Sequence, residues 1–591
     1  MDEIKVTDSY LDNTDWRVRE NSSIKWSVGG LLLHQAGAVT ANYWLSKIYP
    51  EEIAKAHQNA DFHIHDLSLL SGYCAGWGLK NLLEKGLSGV KGKTSSRPPK
   101  HLSTACGQIV NFLGILQNEW SGAQAINGLD TFLAPFIKKE HLTEEQVYQC
   151  MQQLIHGLNV PSRWGSQAPF TNISLDWNVP KDLKDKPTRI AGEDQDFTYG
   201  DCQEEMSLLQ KCLFQVYLDG DANGDGFEYP IPTISVTDDF DWENPNVKPL
   251  FELTAKYGSP YFANYRNSDL SPEDVRSMCC RLRLDLRELS RKGGGLFGAY
   301  DSTGSIGVVT LNLPRIGYLI NKEHPISSMS NEDIEKAIYV RLDNLLDLAY
   351  HSLEIKRKVI TKLLDEGFYP YTKAYLGTFA NHFSTIGIVG MNELLLNIFK
   401  GTEAANTDIA TERGQKISMD ILSHIREKLS DFQEESGNLF NLEETPAEST
   451  CFRLAKHDLE KYSDIIHQGS TVSPYYTNST HLPVDYTSDL WFTLDHQAKM
   501  QALYTGGTAL HIFLDDGIDD WEKAKALVCK ACGTSKVPYI SLTPTYSVCP
   551  VHGYIKGHFE RCPKCRDEQI KAYKAKLAEL EAAKAAAQVS N

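Results

Sequence analysis

Apolar residues recur every three to four positions over long stretches of this chain, which is the spacing of an amphipathic helix. The first such stretch runs from 102 to 158 and includes Ile109 and Phe112. Two others, 333–363 and 414–434, repeat the same pattern between charged positions. The pattern therefore predicts helix across 102–158 and one long amphipathic helix in each of the later stretches.

Shorter apolar runs between the helical stretches are typical of strands. Residues 230–236 and 306–311 are the clearest, and 306–311 is apolar apart from Thr310, as in a strand covered on both faces. A third run, 536–549, predicts a strand and a turn that lead into a cluster of cysteines. Strands that alternate with long helices predict an α/β architecture, built mainly as one large barrel-like domain.

Composition narrows the function classes more than it narrows the fold. The chain has 591 residues, of which 41% are hydrophobic and 23% charged, as is ordinary for a globular protein. Its formal net charge of −18 argues against a nucleic-acid groove, because phosphate binding requires a basic face. We find no run of about 18 apolar residues and no apolar leader after Met1, so the sequence predicts no membrane span and a cytoplasmic location.

The 13 cysteines are unevenly distributed, and the residues from 529 to 565 are especially rich in them. In a reducing compartment they are expected to be thiols or metal ligands rather than disulfides. The units Cys549-Pro-Val-His552 and Cys562-Pro-Lys-Cys565 supply two pairs of ligands, as a tetrahedral zinc ion requires. Because the protein fills all four positions, the predicted zinc site is structural.

A further C-x2-C pair, Cys529 and Cys532, stands in a segment that is typical of the end of a helix. Three interpretations stay open: ligands that replace His552, a redox pair, or two incidental helix cysteines. The chain thus divides into a core over 1–535, a zinc knuckle over 536–566 and an amphipathic helical tail over 567–591.

Adjacent cysteines, Cys279 and Cys280, are the most unusual chemical feature in the middle of the chain. A polar turn over 267–269 precedes them and the run Gly293-Gly294-Gly295 follows them. Two small buried hydrophobic residues would be the ordinary interpretation. The flanking turn and glycines instead favour a loop that enters the interior of the fold.

Ordered motifs along nearly the whole chain resemble those of the anaerobic (class III) ribonucleotide reductases, which are glycyl-radical enzymes. The matching segments are Trp16-Arg17-Val18-Arg19-Glu20-Asn21, His63-Ile64-His65-Asp66-Leu67, Gly107-Gln108-Ile109-Val110-Asn111-Phe112, Asn159-Val160-Pro161-Ser162-Arg163-Trp164-Gly165, Pro169-Phe170-Thr171-Asn172, Pro230-Ile231-Pro232-Thr233, Met278-Cys279-Cys280-Arg281, Leu311-Asn312-Leu313-Pro314-Arg315, Gly390-Met391-Asn392-Glu393, Tyr504-Thr505-Gly506-Gly507-Thr508 and the cysteine cluster.

The resemblance implies a ten-stranded α/β barrel of two antiparallel five-strand halves, with a finger loop through its centre. Cys280 matches the family's thiyl-radical cysteine at the tip of that loop, with Cys279 as the second choice. Cys74 matches the cysteine that faces the sugar from a barrel strand. A thiyl radical at Cys280 would abstract the 3′-hydrogen of a ribonucleotide, and Cys74 would supply a proton or hydrogen atom.

The resemblance also implies partners. They are ribonucleoside triphosphate substrates, nucleotide effectors, a radical-SAM activating enzyme and a second copy of the chain in a homodimer. One branch of the family oxidises formate and has an Asn where this chain has Thr303-Gly304-Ser305. The missing Asn and the extra Cys279 favour the branch that is reduced by a thioredoxin-like redoxin.

Two parts of the family pattern have no match in this sequence. The core motif begins at Asp15-Trp16-Arg17, which leaves no room for an ATP-binding cone before it. No segment resembles the family's Arg-Val-x-Gly-Tyr-x-Arg-Pro, whose glycine holds the stored radical, and the last glycine is Gly557. Three explanations stay open: a truncated chain, a radical loop on a separate polypeptide, or an inactive nucleotide-binding relative.

A different enzyme class is suggested by His63-Ile64-His65-Asp66, which has the form of a strand in a metal-dependent hydrolase. Such a site needs further His and Asp ligands after later strands, and the sequence does not offer them in a convincing arrangement. The alternative is that both histidines form hydrogen bonds within the core and hold the strand that bears Cys74.

Overall fold

The computed structural model describes most of the chain. The described residues are 2–12, 26–161, 167–267, 303–444, 447, 449–484, 486–514, 518, 520–544, 546–549, 553–556, 565–566, 569–571 and 576. Cys279, Cys280, His552 and Cys562 lie outside these ranges, so the predictions made for them stay predictions.

The fold is mixed α/β, with one large sheet surrounded by helices. The strands are β1 (Phe62–Ile64), β2 (Cys74–Trp77), β3 (Gln124–Ile126), β4 (Thr171–Leu175), β5 (Pro187–Ile190), β6 (Glu193–Thr198), β7 (Ile231–Val236), β8 (Tyr261–Asn264), β9 (Gly304–Asn312), β10 (His382–Val389), β11 (Leu439–Glu443), β12 (Gln468–Gly469), β13 (Pro474–Tyr475), β14 (Leu510–Leu514), β15 (Tyr539–Pro544), β16 (Tyr546–Cys549) and β17 (Gly553–Lys556).

Helices connect the strands of this sheet and pack against it. They are α1 (Glu3–Leu11), α2 (Val28–Tyr43), α3 (Glu51–Gln58), α4 (Leu79–Lys85), α5 (Leu102–Leu116), α6 (Leu129–Glu140), α7 (Glu144–Asn159), α8 (Gln203–Asp219), α9 (Val247–Tyr257), α10 (Leu313–Glu323), α11 (Asn331–Asp365), α12 (Pro370–Tyr375), α13 (Met391–Ile398), α14 (Glu412–Ser436), α15 (Ser449–Lys461), α16 (Leu490–Gln501) and α17 (Trp521–Thr534).

Strand pairing divides the large sheet into two directions. Strands β2, β3, β4, β7 and β8 pair in that order, all parallel. At one side β9 pairs antiparallel with β2, and β10 and β11 continue parallel to β9. At the other side β15 pairs antiparallel with β8, and β14 is parallel to β15. The sheet thus extends to Pro544, beyond the core boundary predicted at 535.

The backbone after α16 brings the two outer strands of this order near each other. The amides of Thr505 and Gly506 both donate to the carbonyl of Leu442 in β11, and Glu444 donates to the carbonyl of Gly507. Residues 505–507 lead directly into β14. This segment therefore connects the β11 end of the sheet with the β14 end.

The two later helix predictions agree with the structure. The stretch 333–363 lies within α11, which begins after Ser330, whose side chain accepts a hydrogen bond from the Asp333 amide. The stretch 414–434 lies within α14, which ends at Gly437 in a left-handed conformation. Both helices bury one apolar face against the sheet, as the spacing predicted.

The prediction of helix across 102–158 holds for three helices but not for the strand that lies between the first two of them. Three helices, α5, α6 and α7, share this stretch with the buried strand β3. The chain leaves α5 at a turn where the amides of Ser121 and Gly122 donate to the carbonyls of Gly72 and Tyr73. The strand arises from this pairing with a distant segment, which helical spacing does not reveal.

Strands at the centre of the sheet are buried on both faces. Every residue of β9 and of β10 is buried, as the apolar run 306–311 predicted.

Among the described residues, no helix combines the length and the apolar character needed to cross a lipid bilayer.

Candidate active site

Cys74 is the first residue of β2 and is only 1% exposed. It carries a reduced thiol and packs against Ala123 and Ala125 of the neighbouring strand segment. Ala75 and Trp77, the alternate residues of β2, belong instead to the main core beneath the helices. Because successive side chains of a strand point to opposite faces, Cys74 lies on the face away from those helices.

Close packing at Gly304 fixes the position of Cys74 relative to β9. Cys74 pairs with Ser305, and Ala75 pairs with Gly304. A Cβ atom placed on Gly304 would lie 2.1 Å from the carbonyl oxygen of Cys74, so only glycine allows this approach. Replacing Gly304 by any larger residue would push the strand of Cys74 away from β9.

Polar side chains continue the row of Cys74 across the next three strands. The hydroxyls of Ser305 in β9 and Thr385 in β10 are 2.8 Å apart and share a hydrogen bond. Thr385 pairs with Asn441 of the parallel strand β11. We call Cys74, Ser305, Thr385 and Asn441 the polar row.

The contacts of Phe440, on the opposite face of β11, show which face Asn441 occupies. Phe440 packs beside Tyr350 of α11 and Phe432 of α14, with ring centroids 5.5 and 5.9 Å apart. Since neighbouring strand residues point in opposite directions, Asn441 lies on the same face as Thr385. Gly506 packs directly onto it, because a Cβ atom there would lie 3.0 Å from the Asn441 Nδ2 atom.

An open cavity of about 810 Å³ lies at the carboxyl end of β10. Its walls include Thr477 and Asn478, the first two residues of the turn from Thr477 to Thr480, together with the strand β14 and residues of α16. Val389, the last residue of β10, forms a bridge with Asn478 of this turn. The strand β10 therefore runs from the polar row to the cavity. Its four residues from Thr385 to Val389 span about 13 Å.

A buried carboxylate holds the cavity turn in place. Glu393 is fully buried, and its Oε2 atom accepts a hydrogen bond of 2.9 Å from the amide of Thr477. Its Oε1 atom accepts from the Thr477 hydroxyl at 2.7 Å and from the side chains of Asn392 and Gln468 at 3.0 and 2.8 Å. The sequence motif Gly390-Met391-Asn392-Glu393 thus supports the cavity wall.

The same turn contains a strained residue. Ser479 has a φ angle of +44°, in the left-handed region that non-glycine residues rarely adopt. Its hydroxyl donates to the carbonyl of Ile388, and Met391 donates to its carbonyl. Thr480 shares hydrogen bonds with Glu444 and with the hydroxyl of Tyr504. Strain that surrounding contacts maintain is typical of functional sites.

His63 and His65 form hydrogen bonds within the core. The Nε2 atom of His65 is 2.8 Å from the Thr310 hydroxyl, and the Nδ1 atom of His63 is 3.1 Å from the guanidinium of Arg453. Burial, followed by the nearby Arg453 charge, lowers the pKa of His63 well below its usual value. No cluster of His, Cys, Asp and Glu suited to a metal occurs among the described residues.

The structure describes only part of the predicted zinc knuckle. Cys549 ends β16 and pairs with Gly553 at the start of β17. Residues 550–552, which include His552, lie outside the described residues, so the first ligand pair stays a prediction. Cys529 and Cys532 lie on α17, as predicted, with Cys532 fully buried.

A second buried carboxylate lies on the other half of the sheet, at the start of α6. Asp130 accepts hydrogen bonds from the amides of Asp176 and Trp177 at 3.0 and 3.1 Å, and from the Gln210 side chain at 2.8 Å. Burial raises the pKa of Asp130 to about 7, and the nearby Asp176 carboxylate contributes in the same direction. Asp130 therefore holds a proton in the folded chain at pH values where the unfolded chain has lost it.

This shift predicts a pH dependence of stability. Between pH 3.8, the ordinary pKa, and about 7, the folded state binds more protons, so the free energy of unfolding falls as pH rises. One such group contributes at most about 1.4 kcal/mol per pH unit. Denaturant titrations from pH 4 to 7 should show a shallower fall for Asp130→Asn. Equal slopes in the two proteins would contradict the assignment.

Comparison with solved structures identifies the fold. The chain is similar in structure to the anaerobic ribonucleotide reductase of Thermotoga maritima in complex with dATP and CTP, with a TM-score of 0.72, 23% identity, and coverage of 95% of this chain and 91% of the other. It is also similar to the hydroxyproline dehydratase of Clostridioides difficile, with a TM-score of 0.58, 13% identity, and coverage of 91% and 82%. The fold is therefore that of the anaerobic ribonucleotide reductases.

Sequence comparison adds the family. Residues 20–574 match the family model described as anaerobic ribonucleoside-triphosphate reductase. Proteins of that name from Salmonella typhimurium and Escherichia coli are 23% and 24% identical over 583 and 568 residues, each covering 90% of this chain and 75% of the relative. The chain belongs to the anaerobic ribonucleoside-triphosphate reductase family, whose members are glycyl-radical enzymes.

Cys74 is the member of the polar row that the family resemblance singles out, and its role stays a prediction. The rest of the row and the support of the cavity were not predicted. Asn441 and Glu443 are polar residues at alternate positions of a strand that is buried at every residue. Polar residues at every second position of a buried strand indicate a polar site on one face of the sheet. Asn441 and Glu443 were nevertheless not among the predicted site residues.

Proposed function

We propose that this chain reduces ribonucleoside triphosphates to 2′-deoxyribonucleoside triphosphates under anaerobic conditions. The observation that carries the proposal is the buried thiol of Cys74 on an inward-facing strand of the family fold. The thiol begins a row of polar side chains that is joined, along one strand, to a cavity large enough for a nucleotide.

The dimensions of the site support a nucleoside triphosphate. The cavity wall lies about 13 Å along β10 from the polar row, which suits a ligand with its sugar at the row and its phosphates toward the cavity. In the proposed architecture the strands close into a ten-stranded barrel, and the segment 505–507 supports closure through its bonds to β11. Cys280 would be the radical cysteine of the finger loop, with Cys279 beside it.

The overall reaction balances with two thiols. The ribose loses its 2′-hydroxyl as water and gains hydrogen at C2′, while two cysteine thiols become one disulfide. Cys74 supplies a proton or hydrogen atom from its buried position, and the buried surroundings keep water and oxygen from the reacting atoms. A reductant must then return two electrons and two protons to the disulfide.

We expect the reductant to be a thioredoxin-like redoxin rather than formate. At the start of β9, this chain has Thr303-Gly304-Ser305 and no Asn, and it carries the extra Cys279. The activated enzyme should turn over CTP with a thioredoxin system alone, and Cys279→Ser should remove that turnover. Product analysis by chromatography measures both. Deoxyribonucleotide formation with formate alone would contradict the expectation.

The radical and the remaining partners follow the family pattern. A radical-SAM enzyme would generate the stored radical on the glycine of the Arg-Val-x-Gly-Tyr-x-Arg-Pro segment, which assays must include on the same or a second polypeptide. Nucleotide effectors would select the substrate within a homodimer. A chain that binds ribonucleotides but forms no product when this segment and the activating enzyme are present would instead be a non-catalytic relative.

We also propose structural zinc at Cys549, His552, Cys562 and Cys565. The backbone pairing of Cys549 with Gly553 supports the first ligand pair, because zinc knuckles draw two ligands from one short segment. Cys562→Ser should remove about one zinc per chain and lower the unfolding temperature, measured by elemental analysis and calorimetry. Wild-type zinc content and stability in this variant would exclude the site.

A further inference from the structure

Asn441 differs from the rest of the polar row in its hydrogen bonding. The side chain is fully buried, yet neither its Nδ2 nor its Oδ1 atom has a partner among the described residues. Ser305 and Thr385, by contrast, satisfy each other, and Ser305 also donates to the carbonyl of Gly307 at 3.2 Å. The side-chain amide of Asn441 therefore forms no hydrogen bond with the described residues, unlike Ser305 and Thr385.

Such an amide needs a partner that the described residues do not provide. A buried polar group without a hydrogen bond is strongly unfavourable, and nearly all such groups in native proteins bind protein, water or ligand. A leucine has nearly the same shape and no such requirement. The presence of an amide at 441 therefore points to a polar ligand at the inner face of β11.

The chemistry and spacing favour a sugar. An amide offers a donor and an acceptor side by side, and a vicinal diol offers the same pair. Asn441 is three strands from Cys74, or about 14 Å along the curved sheet, and both side chains face inward. A ribose, with hydrogen bonds of about 3 Å on either side, fits between them.

We propose that Asn441 binds the 2′- and 3′-hydroxyl edge of the substrate ribose through its side-chain amide. This inference rests on the proposed function, because it places the sugar between Cys74 and Asn441. It assigns to Asn441 a contact with substrate, and it makes the ribose hydroxyls the feature by which the polar row recognises its ligand.

The test compares two asparagine-to-leucine variants. In Asn441→Leu no hydrogen bond of the described residues is lost. The control is Asn397→Leu in α13, since Asn397 is equally buried but donates to the carbonyls of Glu393 and Ile466 at 2.8 and 3.0 Å and accepts from the Ile466 amide at 2.9 Å. The control variant should therefore unfold at a lower temperature than the wild type, whereas Asn441→Leu should not.

Titration calorimetry with CTP, 2′-deoxy-CTP and 3′-deoxy-CTP provides the decisive measurement on the full chain. The wild type should bind CTP more tightly than at least one deoxy analogue, by about tenfold for one or two net hydrogen bonds. Asn441→Leu should bind all three with the weaker affinity, and Asn397→Leu should keep the wild-type preference.

Other outcomes overturn the inference. If Asn441→Leu keeps the preference for CTP, the amide does not bind the ribose hydroxyls. If it also unfolds at a lower temperature, its partner is another part of the protein, such as residues 268–302. If the wild type binds none of the three nucleotides, the proposed function itself fails, and that result is distinct from a failure at Asn441 alone.

Discussion

Replacing Cys74 with serine is expected to lower deoxyribonucleotide formation by about 10²–10⁴-fold, the usual contribution of a positioned proton donor. Serine keeps the size of the side chain, so the packing against Ala123 and Ala125 is preserved. It has no dissociable thiol hydrogen and cannot enter a disulfide. Anaerobic product analysis of the activated enzyme, with CTP as substrate, measures the loss.

The matched control is Cys106→Ser in α5. Cys106 is also 1% exposed, but it belongs to the core between the helices and the sheet. The same chemical change there should lower stability and leave turnover close to that of the wild type. Binding of CTP should be retained in Cys74→Ser, which separates a catalytic loss from a folding defect. Equal turnover in Cys74→Ser and wild type would remove Cys74 from the mechanism.

The fold was predictable where local pattern and tertiary environment agree. Helices α11 and α14 bury one continuous apolar face, so their spacing was sufficient. Strand β9 is buried on both faces, so its apolar run was sufficient. Strand β3 was missed because its three residues are ordered by pairing with β2 and β4, which come from distant segments.

A candidate site residue could be predicted only where it lies within a recognised family motif. Cys74 could be identified from the resemblance, because its flanking residues match the family. Ser305, Thr385 and Asn441 come from segments separated by tens of residues, and only strand register brings them together. Glu393 was part of a recognised motif, but its role depends on its contact with Thr477, which sequence spacing does not contain.

A buried ion pair beside the cavity is expected to give the largest loss of stability in this region when one of its two partners is removed. Asp458 is fully buried and binds the Nε atom of Arg315 at 2.7 Å as well as its Nη2 atom. Its Oδ2 atom accepts from Asn312 at 2.8 Å and from the hydroxyl of Tyr476 at 2.7 Å. Tyr476 directly precedes the turn of the cavity, so the ion pair joins the end of β9 to the cavity wall.

Asp458→Ala should therefore lower the free energy of unfolding by about 3–5 kcal/mol, because among the described residues it leaves the partly exposed Asp61 as the one carboxylate paired with the buried Arg315. Denaturant titration measures this loss.

The exposed pair of Asp495 and Lys499, at 2.9 Å, provides the control, and Asp495→Ala should cost at most about 1 kcal/mol. Tyr476→Phe removes one hydrogen bond and should cost about 1 kcal/mol. If Asp458→Ala and Asp495→Ala destabilise the chain equally, the buried pair does not stabilise the cavity region in the way that its geometry indicates.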